Sequence, residues 1–294
     1  MALDRQTAAA IFDQLGLNPD DLDLRTVGGG DIAEATLMEA GGQAVFVKTL
    51  PPEQADLLAA EADGLAALEQ AGAIRVPRVL GQGESERCAW LALEALDLRP
   101  RSRAADARLG RQLAELHRRT GDNHGWSRDN YIGLTPQPNG VSSDWSAFFA
   151  QRRLRFQMEL LARRYPDSIA PARIEPVLKA WETAVAGHQP LASLLHGDLW
   201  SGNAAFLADG EPVIFDPAVH HGDRECDLAM TALFGGFSPD FYQAYDNAWP
   251  LPAGWQERRS WYQLYHLLNH ANLFGGGYLA RVRRELAALA APGR

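Results

Sequence analysis

The stretch that most restricts how this chain can fold is Leu194-Leu195-His196-Gly197-Asp198-Leu199-Trp200-Ser201-Gly202-Asn203, followed by Val213-Ile214-Phe215-Asp216. The two leucines predict a short buried strand. His196-Gly197 then turns the chain, and Asp198 stands at the strand end with Asn203 five residues later. A second apolar run, Val213 to Phe215, delivers Asp216 thirteen residues beyond Asn203. A lone Asp after a strand is commonly a turn former or a helix cap. A second apolar strand ending in Asp at this distance makes a functional reading the stronger one.

The spacing H-G-D-x-x-x-x-N resembles the catalytic loop of protein kinases, H-R-D-x-x-x-x-N, and Asp216 falls where those enzymes place the Asp that holds metal. Phosphoryl transfer explains the residue types. A carboxylate accepts the proton of the attacking hydroxyl, while an amide oxygen and a second carboxylate hold Mg²⁺ against a triphosphate. Asp198 is therefore the candidate base, and Asn203 and Asp216 are the candidate metal ligands.

Composition narrows the setting. A chain of 294 residues with 46% apolar content is long enough for one large domain or two small ones around a sizeable core. Asp4, Arg5 and Asp13 break the amino terminus into an amphipathic run, so neither a signal peptide nor an apolar span of ~18 residues is expected. A soluble cytoplasmic protein without a membrane partner follows as the expectation. Cys88 and Cys226 are too few for a disulfide framework, and a net charge of -9 argues against nucleic acid. Among 28 basic residues only Lys48 and Lys179 are lysines. A codon bias toward arginine accounts for that, yet it makes Lys48 worth following.

Upstream of the loop, Ala8, Ile11, Phe12 and Leu15 fall at helical spacing over residues 3–15, and Gly16 stops that helix. Thr26-Val27-Gly28-Gly29-Gly30-Asp31 is a hairpin whose glycines let backbone approach phosphates; a plain turn is the bland alternative. Gly28, Gly29 and Gly30 are thus ATP-binding candidates. The strand Ala44-Val45-Phe46-Val47-Lys48 resembles the V-A-I-K strand of kinases. On the helix over 53–70, Glu61 shares a stripe with Leu58, Ala62, Leu65 and Leu68. An unpaired carboxylate there is costly, so Lys48 is its expected partner unless Glu61 reaches water at the stripe's edge.

Residues 76–80 and 88–94 predict two more strands, the latter apolar on both faces and hence central. Five strands and a helix make a small lobe. Glu94 closes its last strand, and Leu96 to Pro100 form the connector where adenine is expected to meet backbone groups. Ser102 predicts the N-cap of a helix burying Leu109, Leu113, Leu116 and a structural His117. Residues 121–140, with Asn130, Tyr131, Gln137 and Asn139, read as a long irregular loop that binds something or moves. Helices then run from Asp144-Trp145 to His188, with Arg152, Arg153 and Arg155 as a solvated face. Asp227 is expected to cap the helix that follows while bonding back to the catalytic loop. His266 and His270, one turn apart on the last helical stretch, lack a third ligand for zinc.

Assembled, the pieces predict an α+β, two-lobed, protein-kinase-like fold. Residues 1–96 are the N-lobe, an antiparallel sheet with one main helix; residues 97–294 are the larger, mostly helical C-lobe. The chain also resembles the fructosamine kinase (ketosamine-3-kinase) family over nearly its whole length. The resemblance is carried by Val27-Gly28-Gly29-Gly30-Asp31-Ile32, Phe46-Val47-Lys48, Asn130-Tyr131-Ile132-Gly133, the loop from His196 to Asn203, Asp216-Pro217-Ala218 and Phe234-Gly235-Gly236-Phe237. It implies an ATP- and Mg²⁺-dependent kinase acting on the sugar 3-hydroxyl of ketosamines, free or protein-bound, after which the phosphorylated adduct falls apart and the amine is deglycated.

The resemblance further implies that Lys48 holds the α- and β-phosphates, Glu61 orients it, Asp198 is the base, and Asn203 and Asp216 bind Mg²⁺. Glu94 and Leu96 complete the ATP-binding set. The acceptor site is expected where Trp200, the 121–140 loop and the His266/His270 face converge, with Trp200 and His270 as its candidates and a monomer as the working unit. Two departures stand out. His220 replaces a Tyr common in the family, with a changed acceptor pocket as the expected result, and Asp31 replaces a Cys that some members use for redox control. Kinases of aminoglycosides, choline or homoserine on the same superfold are the competing enzyme reading. A nucleotide-binding pseudokinase is the nonenzymatic one, against which the intact Lys48, Asp198, Asn203 and Asp216 speak.

Overall fold

The computed structural model describes residues 3–28 and 33–289. Helix α1 (Arg5–Gln14) is capped by Asp4, whose Oδ1 accepts from Thr7 N–H at 3.0 Å. Strands β1 (Asp23–Val27), β2 (Glu34–Ala40) and β3 (Gln43–Leu50) follow, then α2 (Ala55–Ala71), β4 (Val79–Glu84) and β5 (Ala89–Glu94). The five strands form one antiparallel sheet in the order β1-β2-β3-β5-β4. Strand period places alternate residues of β5 on opposite faces. Trp90 and Ala92 pack toward α1 with Phe12, Met38 and Val47, while Leu91 and Leu93 pack toward α2 with Leu58, Leu65 and Leu68.

Beyond the connector come α3 (Arg103–His117), β6 (His124–Trp126), β7 (Asn130–Ile132), β8 (Thr135–Gln137) and β9 (Gly140–Ser142). A helical rod then runs through α4 (Trp145–Phe148), a π-helical stretch (Phe149–Arg155) and α5 (Phe156–Arg164), with α6 (Ile174–Ala184) after it. Strands β10 (Ser193–Leu195), β11 (Ala204–Phe206), β12 (Pro212–Ile214) and β13 (His220–Gly222) frame the segments bearing Asp198 and Asp216. Helices α7 (Glu225–Leu233), α8 (Pro239–Ala248), α9 (Trp255–Phe274) and α10 (Gly277–Leu289) complete the chain. The apolar core under α2 continues without a break through Leu109 and Leu113 of α3 to Leu194, Leu199, Phe206 and Ile214. A second core around Phe149, Trp181, Trp261 and Tyr262 holds the C-terminal helices together.

Three expectations need correction. The strand expected at 76–80 begins at Val79 instead, because Pro77 has no N–H to give a ladder. Residues 121–140 are not an irregular loop: β7 pairs with β8, and β6 lies between β13 and β9 in a four-stranded sheet ordered β10-β13-β6-β9. Strands of three residues are too short to leave a readable period. The arginine cluster is not a uniform solvated face either. Arg152 is exposed, but Arg153 is fully buried, donating through Nη1 to Pro138 O at 2.6 Å and through Nη2 to Asn139 Oδ1 at 2.7 Å. Its guanidinium also lies 4.7 Å from the Phe148 ring centre. A π-helical stretch winds with more residues per turn than an α-helix, so a 3.6-residue projection assigns its faces wrongly.

Arg153→Ala is expected to destabilise the protein by about 2–5 kcal/mol, since it strips donors from buried oxygens and leaves a void. Arg152→Ala should stay within about 0.5 kcal/mol of the parent. Urea melts of the two variants check this, and equal midpoints would restore the solvated face.

Candidate active site

Strand β10 is wholly buried, and its end is held by a carboxylate from α7. Asp227 Oδ2 accepts from His196 N–H at 2.8 Å, and Oδ1 accepts from Gly197 N–H at 2.9 Å. Its Oδ2 also lies 3.2 Å from His117 Nε2, whose Nδ1 is 2.9 Å from the Tyr245 hydroxyl. Burial works against charge on Asp227, but its hydrogen bonds, those with His117 and the Gly197 N–H among them, help to outweigh it and the carboxyl stays below its usual range. Asp227 thus bonds back to the loop as expected. It is not the helix cap, because α7 starts at Glu225, whose N–H is taken by Asp223 Oδ1 at 3.0 Å.

His196 supplies the next link. Its Nε2 lies 3.0 Å from Phe215 O, which only accepts, so Nε2 carries the proton and Nδ1 accepts from Asp198 N–H at 3.2 Å. Burial pushes this imidazole's pKa down, in keeping with the neutral tautomer. Ala218 N–H donates to His196 O at 2.8 Å, so the Asp198 loop and the Asp216 turn are stapled twice. Gly197 sits at φ +84°, and a Cβ there would lie 2.0 Å from Ala218 O; the close approach of the two segments requires glycine.

Asn203 Nδ2 donates to Asp198 O at 2.9 Å and approaches Asp198 Oδ2 at 3.5 Å. Asp198 Oδ1 is buried without a hydrogen-bond partner among the described residues. Burial first, then the charges of Asp216 and Asp227, push the Asp198 carboxyl up to about 7. Asp216 adopts φ +57°, a left-handed conformation rare outside glycine, and its side chain stays 43% exposed. Lys48 Nζ contacts Glu61 Oε1 at 2.6 Å and also bonds Asp216 Oδ1. Burial lowers the Lys48 pKa less than Glu61 and Asp216 raise it, so the ammonium stays charged.

The remaining candidates divide. Glu94 lies at the sheet's end with its carboxylate paired to Arg75 at 2.8 Å and Arg78 at 3.5 Å, and Leu96 O accepts from Leu98 N–H at 3.0 Å. Gly28 has open space beside its Cα, whereas Gly29, Gly30 and Asp31 lie outside the described residues. Trp200 folds over Gly202, where a Cβ would come within 2.2 Å of the ring, and keeps its other side toward solvent. His270 belongs to an aromatic group with Phe234 at 4.7 Å, Tyr278 and Phe274. His266 does not share an open face with it: it is buried, and burial with the nearby His270 takes its pKa down to about 3. His220 is likewise interior, 3% exposed with Nδ1 3.2 Å from Ala218 O, so it lines no open acceptor pocket.

Sequence reasoning passed over Arg101. Its guanidinium donates at 3.4 Å to the carbonyls of Ser201, Ala204 and Gly236 and lies 4.2 Å from the Phe237 ring centre. It also pairs with buried Asp106 at 3.2 Å, but the carbonyls it holds lie a hundred or more residues away, beyond the reach of any periodicity.

A small antiparallel sheet with one inner helix, a lysine bridging two carboxylates, and a strand-end Asp followed by Asn define a two-lobed, protein-kinase-like phosphotransferase fold. A sequence model of the fructosamine kinase family matches residues 3–291. The chain belongs to that family. A relative in Synechocystis named probable ketoamine kinase is 44% identical over 263 residues, 89% of this chain and 88% of that protein. One of the same name in Escherichia coli is 40% identical over 283 residues, 96% and 97% of the two chains. Among solved structures, one named as a fructosamine-3-kinase from Haemophilus somnus superposes with a TM-score of 0.88 at 30% identity, covering 96% of each chain. An aminoglycoside phosphotransferase in complex with ADP and hygromycin B shares the fold alone, with a TM-score of 0.63 at 14% identity over 98% of this chain and 100% of that one.

In the nucleotide- and metal-free protein, Asp198 keeps its proton between about pH 4 and 7 while the unfolded chain has lost it, so this residue's contribution to stability falls as pH rises through that window. Asp198→Asn preserves shape and cannot ionise. It is expected to gain about 1–3 kcal/mol over the parent at pH 8, with the gain vanishing near pH 4. Chemical melts at the two pH values check it; a less stable variant at pH 8 contradicts a buried, costly carboxylate.

Proposed function

We propose that this protein is an ATP-dependent ketosamine kinase. It transfers the γ-phosphoryl group to the sugar 3-hydroxyl of fructosamine- or ribulosamine-type adducts in the cytoplasm, working as a monomer, and the phosphorylated adduct then releases its amine. The observation that carries the reading is the Asp198 carboxylate, buried, with one oxygen unpartnered among the described residues, and flanked by Asn203 and Asp216. Residues 1–96 act as the nucleotide lobe and residues 97–294 as the acceptor lobe.

The donor set fits a hard divalent cation. Asn203 offers an amide oxygen and Asp216 an exposed carboxylate, the oxygen ligands Mg²⁺ takes alongside phosphates. When bound, Mg²⁺ neutralises charge on the β- and γ-phosphates. The protein's own residues do the rest. Lys48, kept in place by Glu61, meets the α- and β-phosphates; backbone of Glu94 and Leu96 meets adenine; Gly28, Gly29 and Gly30 cover the phosphates. The 3-hydroxyl oxygen attacks the γ-phosphorus as the bond to the β,γ-bridging oxygen breaks. Its proton passes to Asp198, and ADP leaves. Trp200 presents an indole face to the sugar, with His270 on the same acceptor side.

Asp198→Asn is expected to lower kcat by about 10²–10⁴-fold while nucleotide affinity stays near the parent value. Phosphorus NMR of the product formed from fructosyl-lysine and MgATP locates the phosphate; turnover on an aminoglycoside but on no ketosamine would replace this reading.

Trp200→Ala should raise the ketosamine KM or lower kcat/KM while leaving the ATP KM and Tm unchanged. Loss of stability together with both KM values would make Trp200 a packing residue only.

A further inference from the structure

Helix α2 carries Glu61, and it is gripped from the C-lobe at two points. Arg128, between β6 and β7, donates through Nη1 to Asp63 Oδ2 at 2.8 Å and through Nη2 to Asp56 Oδ1. The Tyr131 hydroxyl donates to the other Asp56 oxygen at 2.9 Å. Asp56 and Asp63 are seven residues apart, about two helical turns, and therefore share a face. One guanidinium bridging both resists rotation of the helix and sliding along its axis. The two carboxylates are 58% and 49% exposed, and ion pairs this wet add little to stability. A role in placement explains the arrangement better.

The base of this grip is a hydrogen-bonded network whose amides, Asn130, Gln137 and Asn139, are buried. Asn139 Nδ2 donates to Arg128 O at 3.0 Å, Asn139 N–H donates to Asp129 Oδ1 at 2.7 Å, and buried Arg153 holds Asn139 Oδ1. Asn130 Nδ2 donates to Val219 O at 2.8 Å, and Gln137 Nε2 donates to Ala218 O at 3.1 Å. Tyr265 in turn donates to Gln137 Oε1 at 2.6 Å. The hairpin that grips α2 therefore also grips the two carbonyls just past Asp216. The helix touches the same turn directly: a Cβ on Gly64 would lie 3.1 Å from Pro217 Cγ and 3.2 Å from Val219 Cγ2.

We propose that Arg128, seated on this amide network and joined by Tyr131, is a positioning residue for phosphoryl transfer, keeping α2 in the register at which Glu61 and Asp216 meet Lys48 together. The proposal rests on the kinase reading above. Arg128 acts through Glu61 and touches neither nucleotide nor acceptor.

The test is a double-mutant cycle on binding of Mg²⁺ and AMP-PNP, read by calorimetry for the parent, Arg128→Ala, Glu61→Gln and the double variant. Arg128→Ala should weaken binding by about 3–30-fold with Tm little changed. In the Glu61→Gln background the same substitution should matter by less than about twofold, because its route to the site is already cut. Arg128→Lys, whose single ammonium cannot bridge both carboxylates, should recover only part of the loss. Unchanged affinity in Arg128→Ala, or an equal loss in both backgrounds, overturns the proposal, the latter making Arg128 a plain structural contact. Turnover of fructosyl-lysine by the parent tests the kinase reading by itself: a parent that binds nucleotide but phosphorylates no ketosamine removes that reading and leaves the affinity cycle to judge Arg128.

Discussion

The loop that carries Asp198 depends on one buried carboxylate. Where β10 ends, two consecutive N–H groups, those of His196 and Gly197, face the interior with no ladder partner, and an unpaired buried donor is costly. Asp227 accepts both, one on each oxygen, and His117 Nε2 lies 3.2 Å from the same carboxylate. Hydrogen bonds to an ionised acceptor are strong, and in a dry interior they are also directional enough to fix the turn. With that turn set, His196 reaches Phe215, Ala218 reaches His196, and the two segments bearing Asp198 and Asp216 are fixed side by side. The lack of a Cβ on Gly197 lets them close.

Lys48 then joins the sheet to this platform. Its ammonium is shared between Glu61 on α2 and Asp216 on the C-lobe turn, so three segments far apart in sequence meet at one charge. The apolar core from α2 through α3 to Leu199 and Ile214 supports the same junction from below. Asp216 holds a backbone conformation that most side chains avoid, and such strain persists only where surrounding bonds over-determine it. The neighbouring contacts of Ala218 and Val219 with His196, Gln137 and Asn130 are of that kind. Nucleotide phosphates would meet an ammonium whose place is set from both sides.

Much of this was legible in the residue order. The strand ends at Asp198 and Asp216, the central β5, the cap at Ser102 and the Lys48–Glu61 pair all follow from local rules: apolar runs, helical spacing, capping chemistry and the cost of an unpaired carboxylate on an apolar stripe. Residues 124–142 were not legible, because strands of three residues are too short to show a period, and β6 takes one of its partners, β13, from about a hundred residues away. Arg153 departs from the expected solvated face for a related reason. Its charge suggested solvent, and only the oxygens of Pro138 and Asn139, brought up by that hairpin, make burial affordable.

By itself, then, the sequence determined the two-lobed fold, the family and the candidate base, metal ligands and lysine, since these are written in residue types at characteristic spacings along short strands and turns. Tertiary structure alone decided that His220 and His266 are interior, that Asp227 caps no helix, and that Arg101 and Arg128 hold backbone or helix from afar. The physical reason is reach. Local periodicity records which face of an element is apolar, but a polar side chain's role depends on which unpaired group the folded chain places within about 3 Å of it.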